Sequence, residues 1–214
     1  MYKRKGKYFT TMAPTLWAAL PMLESARRLN ERCFALLARC SYDGAAREAS
    51  AVFLRADLWA CLDEHAAERA ARCPVLLLNL NFHQLEWWQR AAEGHAKPLV
   101  ESRATPLFGM LEMAPLLRAI LLEVWSISRV NSRAACVLFG MSPGVAQVIA
   151  GLSAPGVNRI VDDYATLVRP RWEESRIFWL RLLEALTADN GDALTHVHLH
   201  ALQLLGSETV SRHV

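Results

Sequence analysis

The chain has 214 residues, of which 53% are hydrophobic and 21% charged, with a formal net charge of +3. That much apolar material excludes disorder over most of the length, and so small a charge excludes nucleic-acid recognition by bulk electrostatics alone. The length suits one large domain or two small ones.

The amino-terminal "KRKGK", Lys3 to Lys7, is the one basic cluster and reads as a solvated terminus. It opens "KRKGKYFTTMAPTLWAALPML", which imitates a signal peptide by its basic start and apolar centre. Two prolines interrupt the stretch and no small-x-small cleavage site follows, so the expectation is mature, cytoplasmic protein. No apolar run is long enough to span a bilayer, and no membrane association is expected. Five cysteines (Cys33, Cys40, Cys61, Cys73 and Cys136) form no CxxC pair, which indicates free thiols in a reducing compartment. Cys33 and Cys40 are seven apart and share a helix face, where such thiols pack as small hydrophobes.

Apolar residues recur at helical spacing along most of the chain, so the fold class is all-α, a multi-helix bundle. "PMLESARRLNERCFALLARC" reads as a helix beginning at Pro21, with "SYDGA" as its break. "REASAVFLRADLWACLDEHAAERAARC" reads as a second long helix burying Phe53, Leu54, Leu58, Cys61 and Leu62. In "CPVLLLNLNFHQLEWW", Leu78, Leu80 and Phe82 alternate with Asn79 and Asn81, a period of two that marks a short extended segment with no evident strand to pair with. The adjacent Trp87 and Trp88 open a helix that Gly94 terminates; one is expected inside and the other on a partner surface.

"GHAKPLVESRATP" is polar and contains two prolines, so it divides an amino-terminal helical region, 1–97, from a second region, 105–214. A helical unit from Leu107 to Val130 follows, then three shorter helices, then "RPRW" as a joint. Two helices joined by a short turn close the chain as an antiparallel pair. Asn190-Gly191 is expected to form the left-handed end of the first, and Asp192 to cap the second.

The chemical candidates are few. His196, His198 and His200 would share a face only on a strand, and here they lie in a helical pattern with the stripe Leu194, Val197, Ala201, Leu204 and Leu205. His198 joins that stripe, leaving His196 and His200 together on the outer side as the sole metal candidates, with no HExxH glutamate between them. Neither a metal nor any other cofactor is expected. The pairs Asp162-Asp163 and Glu173-Glu174 diverge on a helix and make no acid–base couple. A helix start accounts for the second pair, and Arg159 or Arg169 is the expected partner of the first. There is no G-x-S-x-G elbow, Walker loop or Rossmann fingerprint, and the chain is expected not to be an enzyme.

The stretch "SRAACVLFGMSPGVAQVIAGLSAPGVNRIVDDY" has the rhythm of a helix-turn-helix. Ser142-Pro143 and Ser153-x-Pro155 are start signals, "PGVAQVI" and "PGVNRIV" are near-copies, and Gly140 sits where positive φ is needed. Yet the middle helix contains no Lys, Arg, Asp or Glu, and its one long polar group is Gln147. A groove-reading helix needs donors for bases and cations for phosphates. Gln147, Asn158 and Arg159 are the only nucleic-acid candidates, and DNA enters the expectation only through a complex. An uncharged helix with Gly140, Met141, Val145, Gln147 and Val148, joined by Trp87 and Trp88, is instead the expected partner-binding surface.

From about Leu117 to Trp172 the order of features resembles the FlhD family, the D subunit of the bacterial flagellar master transcriptional regulator. The resemblance rests on a long apolar helix, "LFGM" at a helix end, the turn and helix "GLSAPGVNRIV", and the exit "LVRPRW". Phe139, Gly140, Met141, Leu152, Ser153, Val168 and Arg169 follow that pattern. It implies a helical subunit that dimerises and joins a second subunit to activate transcription. The leading expectation is therefore a non-enzymatic regulatory protein acting in a homo- or hetero-oligomer. The rivals are an adaptor or scaffold of a bacterial assembly, such as a secretion apparatus, and a metal enzyme built on the carboxy-terminal histidines.

Overall fold

The structure, a computed structural model, describes residues 13–95 and 106–210, with side chains over 21–95 and 106–208. The Lys3–Lys7 cluster and most of the proline-containing divider lie outside the described residues. The helices are α1 (Ala13–Cys40), α2 (Gly44–Ala49), α3 (Ala56–Ala60), α4 (Ala66–Ala70), α5 (Leu85–Glu93) and α6 (Met110–Val130). They continue as α7 (Ser132–Leu138), α8 (Pro143–Ala150), α9 (Ala154–Tyr164), α10 (Arg176–Thr187) and α11 (Gly191–Val210). Two short strands, β1 (Leu78–Asn79) and β2 (Arg169–Pro170), complete an all-α fold.

α6 is the central strut. Its Leu117, Ile120, Leu121 and Val124 are buried, and α1, α7, α8 and α9 pack around it. Buried residues from both sides of segment 96–105 share one hydrophobic cluster, with α5 on α8 and α4 on α10. The first helix does not begin at Pro21 but carries that proline in its interior.

The second long helix expected from periodicity is instead broken into α2, a 3-10 turn (Ala51–Phe53), α3 and α4. Local side-chain bonds compete with helix continuation here. Asp43 accepts from the Ala45 amide (2.9 Å) and Ser50, extended at φ −148°, accepts from Val52. Arg55 closes on Asp57 (2.9 and 2.6 Å), and Asp63 accepts from the His65 amide (3.0 Å). The breaks change which residues face inward. Phe53 is buried as expected, but Leu54 and Cys61 are exposed, Leu58 and Leu62 are half-buried, and Trp59 takes the interior place. Its ring lies 5.3 Å from Phe34 and 5.7 Å from Phe53, and its indole donates to the Val52 carbonyl (3.0 Å).

The period-two stretch is borne out, with Leu78, Leu80 and Phe82 buried and Asn79 and Asn81 half-buried. Its strand is not alone. β1 pairs antiparallel with β2, Leu78 opposite Pro170 and Asn79 opposite Arg169. The "RPRW" joint is thus the missing partner strand.

Within the tri-helical segment the expected caps form: Ser142 Oγ accepts from Val145 (3.3 Å), Ser153 Oγ from Gly156 (3.2 Å), and Gly140 has φ +56°. No single helix among the described residues is long and apolar enough to cross a membrane. α7 and α8 together have the composition for it, but they meet at 115° and bury Leu138, Val145 and Ile149 in the core. All five cysteines are free thiols, and burial pushes Cys40 and Cys73 up to about 11, so both stay protonated at neutral pH.

α10 and α11 pack antiparallel, as expected, but their joint differs in detail. Asp189 takes the left-handed conformation (φ +48°), and Asn190, not Asp192, caps α11 by accepting from Ala193 (3.0 Å). On α11, Leu194, Val197, Ala201 and Leu205 are buried. His198 is half-buried beside them; burial first, and Arg72 second, hold its pKa below the ordinary 6.5. An unfolded chain takes up that proton more readily, so stability is lost as pH falls below 6.5. Urea denaturation across pH 5–7 should show this slope in the wild type and in His196→Ala, and a flatter profile in His198→Leu.

Candidate functional site

β2 and the residue after it send two arginines to different places. Arg169 forms a two-point pair with Glu173 (2.8 and 3.0 Å) and reaches the Ala49 carbonyl (3.2 Å). Arg171 turns inward and is only 1% exposed. Its Nε donates to the Leu76 carbonyl (3.0 Å) and its Nη2 to Phe139 (2.7 Å). Both terminal nitrogens reach the Gly140 carbonyl (3.3 Å each), and Nη1 also meets Glu208 Oε2 (3.2 Å). The guanidinium thus engages the segment before β1, the end of α7 and the last turns of α11. Burial lowers its pKa to about 10, still well above neutrality, so the group stays charged.

Backbone bonds seal the same junction. Leu76 donates to Leu138 (2.9 Å), Arg171 to Leu77 (2.8 Å) and Ser142 to Phe82 (3.0 Å). Trp172 then leaves the strand with φ +52°, a conformation that costs a bulky residue on the order of 1–3 kcal/mol. That turn sets its ring edge-on to Phe178 (4.9 Å), while the Arg171 carbonyl accepts from the Trp179 indole (3.1 Å).

Gly140 is needed here for two reasons. Its φ is +56°, and a Cβ would stand 2.7 Å from Arg171 Cζ and 2.9 Å from Leu205 Cδ1. The turn between α7 and α8 approaches the guanidinium too closely for any side chain.

Beside this junction lies a groove of about 830 Å³ between the start of α5, the α7–α8 corner and α11. Leu85, Val137 and Leu202 line it and remain 37%, 52% and 40% exposed. Met141 and Leu205 form its buried floor. At its charged end, His83 Nε2 lies 2.8 Å from Glu208 Oε2, the oxygen that Arg171 also approaches. Burial raises the Glu208 carboxyl above its ordinary range, and Arg171 and the Trp172 indole counter this only in part.

The structure redistributes the residues singled out in the sequence. Gly140 and Val145 are buried; Met141 is buried too but belongs to the groove floor. Gln147 is exposed and Val148 half-buried, both on a separate hollow with Arg159 near the start of α9. α8 is therefore a core helix and not an exposed apolar one. Trp87 and Trp88 are both buried, against the expectation of one on the surface. α5 lies between two walls: Trp88 stacks on Phe82 (5.8 Å, 6°) and donates to the Asn81 carbonyl (3.1 Å), while Trp87 meets Tyr164 edge-on (5.0 Å). Neighbouring ring positions on one helix thus both find packing.

Two of the three nucleic-acid candidates, Asn158 and Arg159, are engaged by groups elsewhere in the fold. Asn158 accepts from Arg118, and Arg159 donates to the Ala92 carbonyl. Asp162 faces Arg118 (3.7 Å) in place of the expected Arg159 or Arg169. His196 is exposed, but His200 turns toward Phe178 on α10 (6.0 Å between centroids), so the two do not form an outer pair. No group of three or more His, Cys, Asp or Glu side chains among the described residues is placed to hold a metal ion.

Sequence reasoning missed Arg171, Glu208, His83, Leu85, Val137 and Leu202. A partial signal existed for the first: Arg171 stands between Pro170 and Trp172 in the exit from α9, although Arg169 shares that proline. The chain matches no protein-family model, no curated protein and no solved structure. The residues of the groove therefore carry the functional reading.

Replacing Arg171 with Met leaves the Leu76, Phe139 and Gly140 carbonyls without their donor, and should cost about 3–5 kcal/mol in urea denaturation. Gly140→Ala should cost about 1–3 kcal/mol from strain and overlap. Gly206→Ala, at a helical site where an added Cβ meets nothing within 4 Å, should instead gain about 0.5–1 kcal/mol.

Proposed function

We propose that this chain is a non-enzymatic regulatory subunit that works through protein–protein contacts in a hetero-oligomer. Its docking surface is the groove between α5, the α7–α8 corner and α11, and the occupant is an amphipathic helix of the partner. One observation carries the reading: Leu85, Val137 and Leu202, from three different elements, expose aliphatic surface into one groove. Isolated exposed aliphatics are ordinary, but three converging on a concave apolar surface match the way helices are received in grooves.

The FlhD-like segment supplies the α7–α8 corner of this groove, which links the reading to transcription. DNA then enters only through the assembled complex. α8 is a core helix whose one long polar side chain is Gln147, and Asn158 and Arg159 of α9 are engaged by other parts of the fold. Such a face lacks the cations that hold a helix on phosphates.

Site-specific photocrosslinking in the native host tests the proposal. A crosslinking residue at Val137 or Leu202 should give a discrete protein adduct, and one at Leu111, 92% exposed in the first turn of α6 and no part of the groove, should not. A DNA-associated partner supports the transcriptional role, and an apparatus component moves the assignment to a scaffold. Equal labelling from all three positions, or none from the groove, contradicts the docking reading.

A further inference from the structure

We propose that the helix received by the groove must carry a lysine or arginine one turn beyond its aliphatic face, seated against Glu208; this rests on the docking reading above. The groove is apolar along most of its length, and its charged end is asymmetric. Arg171 is 1% exposed and lies behind, whereas the Glu208 side chain is 22% exposed and lines the groove. The pair is thus a fixed dipole with its negative end toward the occupant.

Arg171 has no donor left to offer a ligand. A guanidinium has five N–H groups, and those of Arg171 are directed at Leu76, Phe139, Gly140 and Glu208. An acidic ligand would therefore meet a saturated cation and a carboxylate in front of it. A basic ligand would meet the carboxylate first. Among the described lining residues the groove has one carboxylate, no Lys or Arg, and one imidazole, His83, which is a cation only when protonated, so none of them supplies a permanent second cation.

Electrostatics at the site agree. Burial raises the Glu208 carboxyl, and Arg171 at 3.2 Å offsets this only in part, so the charged form is short of the solvation that water would give it. A docked helix excludes more water and sharpens that deficit. A cation on the helix offsets it, and aliphatic side chains at i, i+4 and i+7 reach the leucines and Val137 on the same face. Charge thereby fixes the direction in which the helix lies, because only one end of the groove is anionic.

A displayed library of amphipathic helical peptides, selected against the full chain, tests both layers. Enriched peptides should share an aliphatic face with Lys or Arg one turn away, and should lose binding to Val137→Asp and Leu202→Asp. Replacing that lysine by norleucine should weaken binding about tenfold. Glu208→Gln should bind both peptides alike, with its fold checked by thermal melting; if that variant does not fold, the lysine–norleucine comparison on the wild type decides. Groove-dependent peptides without a basic preference, or indifferent to norleucine, overturn the basic-residue requirement and leave the docking reading standing. No enrichment, or peptides indifferent to both groove substitutions, overturns both.

Discussion

A single buried guanidinium ties this structure together. Arg171 bonds to carbonyls before β1 and at the end of α7, and to a carboxylate on α11. These segments are far apart in sequence, and backbone bonds such as Leu76 to Leu138 (2.9 Å) join two of them at the same place. A cation taken out of water costs several kcal/mol unless its donors are met, and here each finds an acceptor. The acceptors gain as well, since the carbonyls at the end of α7 have no partner within their own helix. Each side of the junction therefore needs the other. That mutual need explains why Gly140 admits no side chain and why Trp172 is held in a left-handed conformation.

The same constraint shapes the surface. Arg171 ties the last turns of α11, through Glu208, to the α7–α8 corner, through Gly140, and Leu202 and Val137 line the groove beside that tie. It also sets Glu208 at one end, its charge facing outward while its counter-ion stays inside. A groove of this form has an apolar floor, exposed aliphatic walls and a polarity along its axis. Those are the properties needed to receive a helix in a defined orientation, which is how one junction links folding to the proposed docking.

Much of the fold was legible because its signals are local. Ser142, Ser153 and Gly140 announce the corners of α7, α8 and α9 through capping and positive φ, and each does so in the structure. The stripe of α11 and the alternation of Leu78, Leu80 and Phe82 are likewise periodicities that one segment carries by itself. Expectations failed where the decisive partner was remote or the competing bond was small. The fragmentation of 44–70 depends on Asp43, Ser50 and Asp63 outbidding a helical pattern. Trp87 and Trp88 are both inside because α5 has packing on two sides, which its own sequence does not encode. The groove was illegible for the same reason: Leu85, Val137 and Leu202 come from three separate helices, and Glu208 meets Arg171 across 37 positions. Only Arg171 itself, a charge beside a proline that it shares with Arg169, offered a partial hint.

Native-state hydrogen exchange tests the central claim most directly. If the Arg171 junction is the keystone, the amides of Leu76, Ser142 and Arg171 should exchange only through global unfolding, as slowly as those in the middle of α6. Exchange at these amides through a local opening, while the α6 core stays protected, would show that the junction is peripheral and contradict the account.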